Sequence, residues 1–164
     1  MPEKFQEIVA LHGRAVYRTA GRIVGHEADA GDVVQEVFFE AFRLPAGKRV
    51  ENWPAFLKRL ATCRALDCLR KRRLQLSIDG LAIAAPADEP WAAAATLELA
   101  ERLRQALGEL SEREASVFCL GYFEGLSNLQ IAEALEIRTG AVAVALHKAR
   151  ARLAELLAEA PKGD

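Results

Sequence analysis

The chain has 164 residues, with 22 Lys/Arg against 23 Asp/Glu and a formal net charge of −1. Its apolar (51%) and charged (27%) fractions are those of a globular protein, and its length suits one domain or two small ones. No apolar run is long enough for a membrane span, and the N-terminal stretch MPEKFQEIVALHGRAVYR has no apolar signal core, so a cytoplasmic protein without direct membrane insertion is expected.

Aromatics are few (7%), while Ala and Leu dominate, a mixture that favours helix over sheet. In chain order, the first predicted helix covers about 2–24. A second runs from about 27 to 44, with Asp29 as a possible cap. A third opens at NWP, with Asn52 as N-cap, and runs to about 74. The segment SIDGLAIAAPADEPWAAAA contains Pro86 and Pro90 and has no helical stripe before about Ala93, so residues 75–92 read as a linker. It is long for a connection inside one compact domain, which favours two units. Four more helices follow. One covers about 93–107. Two open at SERE and SNLQ, where Ser111 with Glu114 and Ser127 with Gln130 fit capping boxes. The last covers about 139–158, and no segment reads as a strand.

Net charge is unevenly placed: +5 over residues 1–74, −3 over 75–96 and −3 over 97–164. A partner bearing phosphates should prefer the first half. Cys63 and Cys68 are five apart, which matches no common zinc spacing, and Cys119 stands far away. They read as small buried thiols of a reducing compartment, with no metal site and no cofactor.

Three stretches suggest function. In the second helix Val34, Val37, Phe38, Ala41 and Phe42 recur at core spacing. The other face holds Asp32, Gln35, Glu36 and Phe39: a solvated charged face with a stray aromatic, or a protein-docking face anchored by Phe39. In the third helix Arg64, Arg70, Lys71, Arg72 and Arg73 crowd the second half, either complementing the helix dipole or contacting nucleic-acid phosphates. Asp67 is spaced to pair with Arg64, Arg70 or Lys71. The last two helices, joined by about four residues from Glu136 to Thr139, have helix-turn-helix spacing, though an ordinary helical hairpin fits the same pattern. Their apolar sides are Ile131, Ala132, Leu135 and Ile137, then Val142, Leu146, Ala149, Leu153 and Leu156. A Gly-rich phosphate loop, catalytic carboxylates in a recognisable setting and metal spacing are all missing, so neither an enzyme nor a small-molecule substrate is expected.

The ordered stretches DAGDVVQEVFFEAFR, WPAFLKRLATCRALDCLRKRR and LGELSEREASVFCLGYFEGLSNLQIAEALEIRTGAVAVALHKARARL closely resemble bacterial RNA polymerase sigma factors of the extracytoplasmic-function (ECF) group. The resemblance implies an all-α protein of two small helical domains. Residues 1–74 would be a three-helix region 2 and 97–160 a four-helix region 4 with the helix-turn-helix, joined by a linker at 75–96. It implies core RNA polymerase and promoter DNA as partners, with an anti-sigma factor as a third. Asp32, Gln35 and Glu36 match the part that docks on the polymerase, which agrees with the face carrying Phe39. The loop with Lys48 and Arg49 matches the one that captures an unstacked −10 base, and Arg64, Asp67, Arg70 and Lys71 fall where the family contacts −10 DNA. Residues 127–150 match the −35-reading helix-turn-helix, and acidic Asp79, Asp88 and Glu89 suit the linker's place in the polymerase channel.

Three departures stand out. Cys63 replaces a usual Asn at the −10 face, and a thiol is a poor donor. Glu136 stands in the turn where Gly is common. The recognition helix opens with Ala141, Val142, Ala143, Val144 and Ala145 in place of polar and basic residues. Alanine and valine only touch thymine methyls. The remaining donors are Arg138, Thr139, His147, Lys148 and Arg150, most of which suit phosphate, and phosphate contacts position without specifying. The reading is therefore a transcription initiation factor with weak or atypical −35 readout. The alternative is a sigma-derived interaction module whose region 4 binds protein.

Overall fold

The computed structural model describes residues 2–79 and 94–159 of the chain. Among these, all regular structure is helical: α1 Pro2–Val24, α2 Glu27–Phe42, α3 Trp53–Asp79, α4 Ala94–Glu109, α5 Glu112–Tyr122, α6 Asn128–Leu135 and α7 Thr139–Ala158.

Local chemistry sets most boundaries. Gly25, at φ 68, turns the chain between α1 and α2. His26, in extended conformation, is the N-cap of α2 and makes no side-chain cap bond. Asp29, expected as the cap, lies in the first turn instead and pairs with Arg72 of α3 at 3.4 Å. Asn52 does cap α3: its Oδ1 accepts the Ala55 N–H at 3.1 Å. Ser111 with Glu114, and Ser127 with Gln130, form complete reciprocal capping boxes at α5 and α6.

Helix α3 continues past Leu74 to Asp79, because residues 75–79 hold no Gly or Pro and the first breaker is Gly80. Helix α4 likewise begins at Ala94 and reaches Glu109, two residues beyond the expected end. The linker acids Asp88 and Glu89 lie outside the described residues.

Helices α1, α2 and α3 pack around Ile23, Val24, Val37, Leu57, Leu60, Ala61 and Leu66. Each fully buried Val, Leu or Ile among them contributes about 1.5–3 kcal/mol of transfer free energy. The same cluster continues into Leu107, Leu110, Ala115, Cys119, Ala149 and Leu153, so α4, α5 and α7 close onto the first three helices. A second cluster, with Val117, Leu120, Ile131 and Val142 at its centre, holds α6 and the start of α7 to α5.

Candidate functional site

Helix α2 turns Ala30, Val33, Val37, Phe38 and Ala41 inward. Asp32, Gln35, Glu36 and Phe39, at i, i+3, i+4 and i+7, all lie exposed on the opposite side. Phe39 is 61% exposed, and the Arg43 guanidinium sits 5.2 Å from its ring centroid. Phe42, expected in the core, is exposed and meets Phe5 edge-on at 5.2 Å. It lies about 100° round the helix from Ala41, and Val33 fills the inward position. The outcome is an acidic surface with aromatic side chains at its end.

The cations of α3 do not act as one patch. Arg64 donates to Glu40 Oε2 of α2 from Nε at 2.9 Å and Nη2 at 2.7 Å, and to Asp67 Oδ2 at 3.0 Å. The Glu40 hydrogen bond, with the charges of Glu40 and Asp67, holds the Arg64 pKa above its ordinary value. Asp67 also pairs with Arg70 at 3.8 Å, whereas Lys71 is exposed and makes no ion pair among the described residues. Arg72 donates to the Val24 carbonyl at 3.2 Å, and Arg73 to the Gly108 carbonyl at 3.1 Å, pairing also with Glu109 at 3.3 Å. The run Arg70–Arg73 thus divides: Lys71 faces solvent, while Arg72 and Arg73 tie helices together. Lys48 and Arg49 are exposed in the α2–α3 connection, shaped by Gly47 at φ 103 and by the Lys48 N–H bonded to the Pro45 carbonyl at 3.0 Å.

In the second half, Glu136 ends α6 in the left-handed region, at φ 55 and ψ 44. The Ile137 N–H then bonds the Ala132 carbonyl at 3.0 Å, which directs the chain into α7. Val142 and Ala145 face inward, while Arg138, Thr139, Ala143, Val144, His147 and Lys148 face solvent. A shallow cavity of about 370 Å³ runs between the starts of α5 and α7, lined by Arg113, Glu114, Ala141, Val144 and Lys148. Arg150 is exposed but committed in part: its Nε donates to Tyr122 Oη at 2.5 Å, with the guanidinium 5.3 Å from that ring.

The thiols are all free. Only Cys119 is fully buried; burial, then the charges of Glu124 and Cys63, push its pKa up to about 12. Cys63 and Cys68 are half-buried, each raised chiefly by burial, while at Cys63 the Arg59 charge and then Ser116 of α5 act in the opposite direction. Among the described residues no three His, Cys, Asp or Glu side chains group as metal ligands, and no helix is long and apolar enough to cross a membrane.

Sequence reasoning missed Glu124. Its side chain, 7% exposed, accepts the Thr19 hydroxyl of α1 at 2.7 Å and faces Arg22 at 3.5 Å and Lys58 at 3.9 Å. An acid between Phe123 and Gly125 carries no local signal of burial. It would have been found only by knowing that α5 ends against α1 and α3.

The chain matches two family models, Sigma-70 region 2 over residues 8–75 and Sigma-70 region 4 over residues 100–153. It is 28% identical to the ECF RNA polymerase sigma factor SigW of Bacillus subtilis, over 94% of this chain and 89% of SigW. It is 32% identical to the RNA polymerase sigma factor CnrH of Cupriavidus metallidurans, over 93% of this chain and 86% of CnrH. The solved structure of CnrH in complex with the cytosolic domain of CnrY superposes with a TM-score of 0.60 at 27% identity, covering 98% of this chain and 92% of that one. With these likenesses spanning both helical units in the same order, the chain belongs to the ECF group of RNA polymerase sigma factors.

Proposed function

We propose that the chain is a cytoplasmic, non-catalytic transcription initiation factor that directs core RNA polymerase to promoters. Residues 1–74 act as region 2 and 97–160 as region 4. The exposed face of Asp32, Gln35, Glu36 and Phe39 docks on the polymerase, with the aromatic as apolar anchor and the acids complementing a basic partner. The exposed cations Lys48, Arg49 and Lys71 meet −10 DNA directly. Arg64 and Arg70, held in place through Asp67, present a fixed edge to it. The single observation that carries the reading is the α2 face itself, where the three residues that match the family's docking part lie exposed together with Phe39 on a family member.

Readout of the −35 element is weak. The solvent-facing start of α7 presents Ala143 and Val144, which make no hydrogen bonds to base edges, and each missing bidentate contact removes about 1–3 kcal/mol of discrimination. Arg138, Thr139, His147 and Lys148 remain to hold the backbone, and Arg150 less so because Tyr122 engages it. An anti-sigma factor is the third partner; CnrH, solved with the cytosolic domain of CnrY, is a precedent for a sigma factor of this fold held by another protein. The alternative, an interaction module detached from transcription, is not favoured by relatives that are named as RNA polymerase sigma factors.

The test is pull-down with purified core polymerase, sequencing of the DNA enriched by the complex, and run-off transcription from the recovered sites. Promoter-specific transcripts dependent on the chain are expected; no core binding and no specific transcript reject the reading.

A further inference from the structure

A pair of carboxylates clamps Arg64 from two helices. Glu40, near the end of α2, accepts from Arg64 Nε at 2.9 Å and from Nη2 at 2.7 Å on the same Oε2, and Asp67, one turn along α3, accepts from Nη1 at 3.0 Å. All three side chains are partly exposed, where an ion pair adds little to stability. What the clamp fixes is direction. A guanidinium carries five N–H bonds in one plane. Here the bond on Nε is taken, with one of the two on Nη1 and one of the two on Nη2. One N–H remains on each terminal nitrogen, so Arg64 keeps a spare fork whose plane is set from both sides.

The neighbouring cations differ. Arg70 reaches Asp67 only at 3.8 Å, an ion pair and not a hydrogen bond. Lys71, two turns on from Arg64, is exposed, makes no ion pair among the described residues and carries a point charge without a fork. The two carboxylates also decide what the Arg64 fork can take. A phosphate arriving there brings another negative charge against Glu40 and Asp67. The edge of guanine offers two acceptors, O6 and N7, with no net charge, and arginine meets that edge with two bonds.

Resting on the proposed function, we infer that Glu40 is a positioning residue for promoter recognition. With Asp67 it holds Arg64 so that the spare fork reads a guanine in the −10 element, while Lys71 holds phosphate alongside. Base discrimination that Ala143 and Val144 of α7 do not supply then comes from α3.

The test uses the full chain bound to core RNA polymerase and a duplex library randomised over the −10 element. The bound fraction is sequenced, and core affinity and thermal melting are measured in parallel. The wild type is expected to prefer a G·C pair at one position by at least about tenfold, and Glu40→Ala to relax that position to within about threefold with the other positions, core affinity and melting unchanged. Glu40→Gln keeps an acceptor of the same length and should recover most of the preference, which loss of a merely structural contact would not show. Arg64→Lys keeps the charge without the fork and should lose the same position, with Glu40→Ala adding nothing further. A G·C preference intact in Glu40→Ala, an even loss over all positions, or a loss confined to core affinity overturns the assignment. Tighter binding of every sequence by Glu40→Ala, with a salt slope steeper by about one ion, places Arg64 on phosphate and overturns it as well. A −10 preference with no G·C position overturns it and leaves the sigma-factor reading standing. No complex with core polymerase, or no base preference anywhere in the element, contradicts that reading itself.

Discussion

Glu136 shows what one residue costs and how far a sequence discloses it. It is the sole non-glycine at positive φ among the described residues, at 55° in the turn of the helix-turn-helix. A β-carbon in that region costs on the order of 1 kcal/mol relative to glycine. Glu136→Gly should therefore raise the unfolding free energy by about 1 kcal/mol in urea denaturation, and an unchanged or lower midpoint contradicts the strain. The position was legible because the helix-turn-helix pattern fixes where the turn falls. Glu124 was not, because its partner Thr19 lies 105 residues away in the chain and burial there is a tertiary outcome. Cys119 is similar: a thiol outside any metal spacing reads as buried, but Glu124 as a further cause of its raised pKa follows only from the packing.

At the scale of elements, periodicity decided most of what was readable. Helix α2 presents Asp32, Gln35, Glu36 and Phe39 outward, as a 3.6-residue repeat requires. What periodicity did not decide was which of two flanking apolar residues turns in, and Val33 is buried while Phe42 is exposed. Helix α3 was harder. Four successive cations read as one patch, yet Arg72 and Arg73 are spent on Val24, Asp29, Gly108 and Glu109, partners that no local pattern names. In α7 the run Ala141–Ala145 divides in the same way. Ala143 and Val144 face solvent while Ala145 is buried, so a cation is tolerated at 143 and not at 145. Ala143→Arg is expected to strengthen binding to duplex DNA and to steepen its salt dependence by about one ion in a log–log plot; no change in slope shows that this face does not lie on the phosphates.

For the whole molecule, the helix order and the two-unit plan were visible from caps, prolines and a long stretch without a helical stripe. The close packing of the units was not, since its contacts join residues a hundred positions apart and are part polar. Cys119, buried in the shared core with a pKa pushed up to about 12, gives a simple report on that packing. At pH 8 the native chain should react with a thiol-specific reagent at Cys63 and Cys68 first, and at Cys119 only on opening or unfolding. Three thiols reacting at one fast rate contradict the packed arrangement. The central claim, however, is that the acidic face of α2 with Phe39 grips RNA polymerase. The most direct measurement is the equilibrium affinity of the full chain for purified core enzyme, compared among wild type, Asp32→Lys and Phe39→Ala, with thermal melting as the control for folding. Both changes lie at exposed positions, so the melts should coincide, while each variant should bind at least about tenfold more weakly, equivalent to roughly 1.4 kcal/mol or more. Wild-type affinity in both variants would contradict the account.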